Sequence, residues 1–283
     1  MRRRTPRARA SLSIDLAWKE MGLVAALFCV AALVLGFGLL ADEVTEGGTM
    51  AFDTRVARFF RPLEATSPIG PAWAHEMARD VTALGSMVVL CFLLAAVVGY
   101  LLLIRKQGAA ALMAGSVLGG TIIGFGLKLL FDRPRPDIPG GIQVFTAGFP
   151  SSHAMLSAVT YLTLGALTTR VAAGARLKAY FMGLAVFLTV VIGSSRVYVG
   201  VHYATDVLAG WCVGSAWAIS CWITALRLQR FRRVERPGMA RRAGGRASAH
   251  TVRDDRCPPV APVRSARMRA FRFDQSLAGR AEP

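Results

Sequence analysis

Long apolar runs alternate with short polar connections over most of this chain. Each run approaches the roughly 17–25 residues that a helix needs to cross a bilayer, and Leu, Val, Ala and Phe dominate each one. Backbone polar groups in lipid must be paired within the spanning structure, so continuous apolar runs of this length indicate helices. The pattern predicts an all-α, polytopic membrane protein with six transmembrane helices in a bundle. The predicted spans cover residues 21–41, 81–104, 107–127, 152–169 (beginning at 152 or 153), 179–195 and 207–226.

The basic residues of the connections all fall on one side of this predicted bundle. They cluster before the first span, between the second and third, between the fourth and fifth, and after the sixth. Loops rich in Lys and Arg stay in the cytoplasm. We therefore expect a multi-pass protein of the cell membrane with both termini in the cytoplasm. The connections predicted to face outside are residues 42–80, 129–151 and 196–206.

Composition adds a strongly basic balance, with a net charge of +17 on a chain that is 54% hydrophobic. Because this charge flanks the apolar body, anionic lipid head groups explain it better than nucleic acid does; a nucleic-acid role for the tail is the weaker alternative. Five cysteines without paired spacing indicate neither a disulfide framework nor a zinc site. The expected parts are a basic cytoplasmic N-terminus (1–20), the six-span domain (21–226) and a basic, disordered cytoplasmic tail (227–283).

Residues 50–63, in the first outside connection, have an amphipathic pattern. The pattern predicts a short helix that lies in the outer membrane surface. A helix packed against the spans is an equally open alternative. The apolar positions at helical spacing are Phe52, Val56, Phe59, Phe60 and Leu63, and Arg55, Arg58 and Arg61 lie roughly opposite.

Ionisable and hydroxyl side chains gather at the outer ends of the later spans. Taken singly, each has a structural explanation, such as a snorkelling lysine or an arginine that marks a span end. Together they converge on one side of the bundle, and ionisable residues at membrane depth indicate a functional site. The residues in question are Lys128, Ser151, Ser152, His153, Arg196, His202 and Asp206.

Attack on phosphorus is the chemistry that these side chains suit. Arginine offers a planar fork, lysine a point charge, and a helix N-terminus free N–H groups, so together they form a cradle for a phosphoryl group. Pro150 ends any preceding helix and Ser151 is a plausible N-cap, so the first N–H groups of the fourth span would face the anion.

His202 and Asp206 supply the candidate nucleophile. They are four residues apart and share a face if helical. The carboxylate can hold one imidazole nitrogen protonated and leave the other as a lone-pair nucleophile. His153 would then protonate the departing oxygen. This mechanism requires no metal and no cofactor.

Three motifs in this chain resemble the signature of the type 2 phosphatidic acid phosphatase family. The first is Lys128, six residues, then Arg135 and Pro136. The second is "PSSH", residues 150–153, and the third is "SRVYVGVHYATD", residues 195–206. All three occur in order and at the expected spacing. The resemblance is carried by residues 128–206, and the six-span layout extends it to about 21–226.

The resemblance implies a role for each motif residue. His202 would form a phosphohistidine, with Asp206 orienting it, and His153 would act as general acid and then as base. The phosphate would be bound by Lys128, Arg135, Ser151, Arg196 and the backbone around Ser152. Ser152 replaces the glycine that is commonest in this motif, which would narrow the site slightly. Arg133 is an extra nearby cation to which the sequence assigns no role.

The predicted function is hydrolysis of a lipid phosphate monoester or diphosphate at the outer (periplasmic or extracellular) face of the cell membrane. The substrate is expected to be of the polyprenyl diphosphate or phosphatidic acid type. A lipid phosphotransferase would use the same residues with an acceptor other than water, and a non-catalytic lipid-phosphate-binding protein is a further alternative. The soluble vanadium-dependent haloperoxidases share the constellation, but six apolar spans argue against that class.

Overall fold

The computed structural model describes residues 6–62, 68–136 and 147–234, and side chains over 20–62, 68–136 and 147–229. Every regular element within these ranges is a helix, which confirms the predicted all-α class. Residues 235–283, most of the predicted tail, lie outside the described residues. The helices are α1 Pro6–Thr45, α2 Met50–Phe60, α3 Ala72–Ala83, α4 Met87–Leu103, α5 Gln107–Phe131, α6 Ser152–Val171, α7 Ala175–Tyr198 and α8 Ala204–Val234.

Four of these helices contain segments long and apolar enough to cross a membrane, so the chain is a multi-pass membrane protein. They are Glu20–Thr45 within α1, Gln107–Phe131, Ala175–Tyr198 and Ala204–Gln229 within α8. The bent pair formed by α3 and α4 adds a fifth if it counts as one span. The last helix continues to Val234, beyond residue 227, where the tail was predicted to begin.

The second predicted span, 81–104, is not one continuous helix. The chain breaks between α3 and α4, and the two helices are bent by 48°. Ser86 caps α4 by accepting a 3.3 Å hydrogen bond from the backbone N–H of Val89. A Cβ at Gly85 would lie 2.5 Å from Cγ2 of Ile192, so the close approach of α7 favours glycine at the break.

The fourth predicted span corresponds to α6, which is the central helix of the bundle. It packs against α4, α5, α7 and α8, and residues 154–161 are all buried. Its hydroxyl groups are enclosed by neighbouring helices, so it does not need the apolar outer surface of a lipid-facing span. For this reason α6 is absent from the apolar candidate spans although it occupies the middle of the fold.

Two glycines of α8 allow its backbone to approach α6 closely. A Cβ at Gly210 would lie 2.7 Å from the carbonyl oxygen of Ser151, and one at Gly214 would lie 2.5 Å from that of Met155. Small residues four apart permit this kind of helix contact. The contact sets the first turn of α6 directly beside the first turn of α8.

A helix forms within the amphipathic segment 50–63, as α2, Met50–Phe60. It contacts α7 and α8, which favours the alternative of a helix packed on the bundle; its outer-surface position stays a prediction. Phe52 and Phe59 are exposed, whereas Asp53 is fully buried. The buried carboxylate faces the start of α8, where Thr205 contacts it.

Candidate active site

The site residues that the motifs predicted all lie at one end of the bundle. Lys128 is in the last turn of α5, and Arg135 lies a few residues beyond that helix. Ser151, Ser152 and His153 form the start of α6, and Arg196 lies in the last turn of α7. The connection to α8 carries His202, and Asp206 lies in the first turn of α8. Four separate segments of the chain therefore supply this site.

The His202 imidazole lies between a carboxylate and a guanidinium. Its Nδ1 is 3.4 Å from Oδ2 of Asp206, and its Nε2 is 3.1 Å from Nη1 of Arg135. Because a guanidinium only donates hydrogen bonds, Nε2 must be the accepting nitrogen in that contact. The proton of the neutral ring is then on Nδ1, directed at Asp206. The geometry leaves the lone pair on Nε2, on the side of the cations.

His202 is 3% exposed, and its surroundings favour the neutral ring. Burial is the largest effect that lowers its pKa, from 6.5 to about 4. The hydrogen bond to Asp206 raises the pKa, and the positive charge of Arg135 lowers it. The imidazole therefore stays unprotonated, and its Nε2 lone pair remains present, at neutral pH.

The second imidazole, that of His153, belongs to the same cluster. Its electrostatic neighbours are Arg196, His202, Arg135 and Lys128. The break between α3 and α4 also reaches it, since a Cβ at Gly85 would lie 3.4 Å from the ring carbon Cδ2 of His153. The structure thus brings both histidines and three cations into one group, although residues 128 and 202 are far apart in the sequence.

Two cations of this group donate to backbone carbonyl oxygens. Lys128 donates to the carbonyl oxygen of Ala147 at 2.5 Å, and Arg135 donates to that of Val201 at 2.9 Å. Within the described part of the chain, Nε of Arg196 and Oγ of Ser151 are buried without a hydrogen-bond partner. Leaving buried polar groups unpaired costs about 1–3 kcal/mol each, and such atoms are typical of sites that bind a polar ligand.

The predicted N-cap is at Ser151, but its side chain does not cap α6. Its backbone N–H instead donates to the carbonyl oxygen of Asp206 at 2.9 Å, which joins the starts of α6 and α8. Ser152 is the first helical residue and is half-buried. The first N–H groups of a helix have no intrahelical acceptor, so this terminus can receive an anion.

Sequence reasoning missed a buried ion network behind Asp206. Arg133 Nη1 lies 2.6 Å from Oδ1 of Asp206, and its Nη2 lies 2.8 Å from Oδ2 of Asp53. Thr205 donates its backbone N–H to Oδ1 of Asp53 at 3.1 Å. One feature could have revealed the network: Asp53 shares helical spacing with the apolar residues Val56 and Phe60. A carboxylate on the apolar face of a helix needs a buried partner.

Comparison with known proteins agrees with the three motifs. Residues 109–230 match the family model of the PAP2 superfamily. A phosphatidylglycerophosphatase B of Bacillus subtilis is 27% identical over 184 residues, which cover 65% of this chain and 88% of the relative. An undecaprenyl-diphosphatase of Sulfolobus acidocaldarius is 35% identical over 81 residues, only 29% of this chain and 32% of the relative.

A solved structure has the same fold. The crystal structure of a transmembrane PAP2-type phosphatidylglycerolphosphate phosphatase from Bacillus subtilis aligns with a TM-score of 0.64 at 25% identity. The alignment covers 71% of this chain and 98% of that one. The family resemblance inferred from the motifs is therefore confirmed.

Proposed function

We propose that the chain is an integral-membrane lipid phosphatase of the PAP2 superfamily, whose family model matches residues 109–230. It hydrolyses a phosphate monoester or diphosphate carried by a lipid. The observation that carries the proposal is the arrangement of His202, whose Nε2 accepts from Arg135 while Nδ1 lies toward Asp206. This arrangement holds a lone pair among cations, where a phosphoryl group would bind.

The first step is attack of His202 Nε2 on the phosphorus atom. A P–N bond forms, the bond from phosphorus to the lipid oxygen breaks, and His153 gives its proton to that oxygen. The negative charge of the transferring group is bound by Lys128, Arg135, Arg196, Ser151 and the N–H groups around Ser152.

The second step returns the enzyme to its starting state. His153, now neutral, takes a proton from a water molecule whose oxygen attacks phosphorus. The P–N bond breaks and phosphate leaves, and His202 recovers its lone pair. In both steps Asp206 stabilises the proton on Nδ1 of His202. The chain's own residues therefore supply every proton transfer without a metal ion.

The site is proposed to open at the outer face of the cell membrane, with both termini in the cytoplasm. The distribution of Lys and Arg in the connections supports this orientation. In this arrangement α6 also crosses the membrane, because it lies between α5 and α7, both of which are long and apolar enough to cross. With the bent pair counted as one span, α6 brings the number of spans to six. The lipid tail would lie along the apolar helices while its head group reaches the cations.

The substrate class is proposed to include both glycerolipid monophosphates and polyprenyl diphosphates. The activities that name the two relatives, a phosphatidylglycerophosphatase and an undecaprenyl-diphosphatase, support this breadth. Both kinds of substrate present a terminal phosphoryl group bonded to an oxygen of the lipid, together with a long apolar tail. In this mechanism the site residues contact the phosphoryl group and that oxygen, not the tail.

The experiment is phosphate release by the purified full-length protein in detergent with EDTA present. Phosphatidic acid, phosphatidylglycerol phosphate and undecaprenyl diphosphate form the panel, and His202→Asn is the test variant. Arg170→Gln is the matched control, since Arg170 contacts Gln229 and Trp222 at the other end of α6. We expect release from at least one lipid, unaffected by EDTA and by R170Q and lost in H202N. Full activity in H202N would refute the mechanism, and transfer of the terminal phosphate to another lipid instead of its release would identify a phosphotransferase.

A further inference from the structure

Asp206 uses its two carboxylate oxygens in opposite directions. Oδ2 lies toward Nδ1 of His202 and accepts the backbone N–H of Tyr203 at 2.9 Å. Oδ1 accepts from Nη1 of Arg133 at 2.6 Å. The orientation of the carboxylate that contacts the proposed nucleophile is therefore set from the far side by Arg133.

Arg133 is itself held by a second carboxylate. Its Nη2 donates to Oδ2 of Asp53 at 2.8 Å, its Nη1 also donates to Oγ1 of Thr205 at 2.9 Å, and its guanidinium lies 4.7 Å from the centre of the Tyr203 ring. Asp53 and Asp206 are fully buried and Arg133 is 7% exposed. A guanidinium fits this position because its planar fork can bond two carboxylates in fixed directions, whereas an ammonium group is a point charge.

The same network ties α2 to the start of α8. Asp53 accepts the backbone N–H of Thr205 and the Thr205 hydroxyl as well. The first N–H groups of a helix need acceptors from outside the helix, and here Asp53 of another helix serves as one. Because Asp206 is the next residue, the contact fixes the backbone that carries the carboxylate, while Arg133 fixes the carboxylate itself.

We propose that Arg133, anchored by Asp53 on α2, is a positioning residue that orients the Asp206 carboxylate and thereby the His202 imidazole for attack on phosphorus. The inference rests on the proposed function. Neither Arg133 nor Asp53 contacts the substrate in this scheme, since Asp206 stands between them and the His202 ring. Their effect is on the rate of P–N bond formation rather than on lipid binding.

The test measures kcat and KM for Arg133→Gln, Arg133→Lys and Asp53→Asn on the lipid that the wild-type protein hydrolyses. Arg170→Gln is again the control, because it makes the same chemical change at the opposite end of α6. Thermal unfolding in the same detergent gives the folded fraction of each variant. A single-turnover measurement of enzyme-bound phosphate gives the rate of P–N bond formation.

We expect kcat in R133Q to fall about 10- to 100-fold, by analogy with the loss when residues that orient the ligands of a bound metal ion are replaced. KM should change less than about threefold, and R133K should fall between R133Q and wild type because it keeps the charge and loses the fork. D53N should lower kcat about 10-fold, since Arg133 then keeps only one of its two carboxylate anchors. In each variant the rate of P–N bond formation should fall by the same factor as kcat.

Several results would overturn the inference. An unchanged kcat in folded R133Q would do so, as would a change in KM alone. The inference would also fail if kcat in R133K were no higher than in R133Q and the activity of both variants followed their folded fraction. If R133Q does not fold, R133K and D53N decide the matter by the same criteria. The two proposals fail separately: an active H202N removes the proposed function, whereas an inactive H202N with normal R133K and D53N removes only this inference.

Discussion

The polar groups on the two sides of Asp206 differ in how completely they are hydrogen-bonded. On the side of His202, polar groups are kept available, and among the described residues Nε of Arg196 and Oγ of Ser151 are buried without a partner. On the side of Arg133, the charges are paired: the guanidinium lies between Asp53 and Asp206, and Thr205 bonds both Asp53 and Arg133. The two sides are only one carboxylate apart.

This difference separates the residues proposed to react from the residues proposed to support them. Unpaired buried donors destabilise the folded protein, but they can bind an anion without first breaking protein hydrogen bonds. A buried ion network with its polar groups paired is stable only as a unit, so removing one member leaves a charge uncompensated. Substitutions on the first side should therefore reduce activity, and those on the second should also reduce stability.

After the loss of activity expected in His202→Asn, the largest effect is expected from His153→Gln on the reactive side. General acid catalysis contributes about 10²- to 10⁴-fold, so kcat should fall within that range while the unfolding temperature stays near that of wild type. Steady-state phosphate release and thermal unfolding of the same preparation measure the two quantities. A kcat within threefold of wild type would show that another group protonates the leaving oxygen.

Acid should destabilise the protein through His202. The pKa of His202 is lowered from 6.5 to about 4 by burial, so between these values the unfolded chain binds a proton that the folded protein does not. The contribution of His202 to stability is fully present above pH 6.5 and is lost as pH falls toward 4, by about 3 kcal/mol in total. His202→Asn cannot titrate in this window.

Thermal unfolding of wild type and H202N at pH 7.5 and pH 4.5 measures this contribution. Wild type should lose more stability than the variant on acidification. Equal losses in the two proteins would contradict the buried, neutral state of the ring.

Arg196→Gln distinguishes the two sides most clearly. A hydrogen bond to a charged group contributes about 1.5–3 kcal/mol, so kcat/KM should fall about 10- to 100-fold. Stability should stay level or rise, because a buried cation with an unpaired Nε has been removed. Arg133→Gln, by contrast, should lower the unfolding temperature. If R196Q proves as destabilised as R133Q, the distinction between the two sides is wrong.

The smallest effect is expected from Ser152→Gly, which restores the residue commonest in the family motif. In the proposed mechanism Ser152 contributes to phosphate binding through its backbone N–H and not through its side chain. Serine and glycine supply the same backbone N–H at this position. Phosphate release should therefore stay within about threefold of wild type. A change above 10-fold in kcat/KM would indicate that the Ser152 hydroxyl contacts the substrate.

The length of the apolar runs predicted the positions of the long helices well, because a helix that crosses lipid needs a long apolar run. Each predicted span lies within an observed helix, except for 81–104, which overlaps the bent pair and extends one residue beyond its end at Leu103. The break near Gly85 could not be predicted, since its cause is contact with Ile192 of α7, a distant part of the chain. The central helix α6 was recognised from its length, although neighbouring helices cover most of its surface.

Motif spacing identified the reactive side but not the supporting side. The residues of the three motifs fall on one end of the bundle because each motif begins or ends a helix. Arg133 and Asp53 are 80 positions apart. Their spacing in the sequence does not predict a contact between an arginine in a loop and a residue of an amphipathic helix. Only the packing of α2 against α8 brings them together.

The central claim is that His202 forms the bond to phosphorus. It is tested most directly by mixing the purified protein with a lipid substrate labelled with ³²P in its terminal phosphoryl group and quenching within one turnover. The account predicts acid-labile, alkali-stable label on the peptide that contains His202, none in His202→Asn, and unchanged labelling in Arg170→Gln. Phosphate release without labelled protein, or label on any other residue, would contradict it.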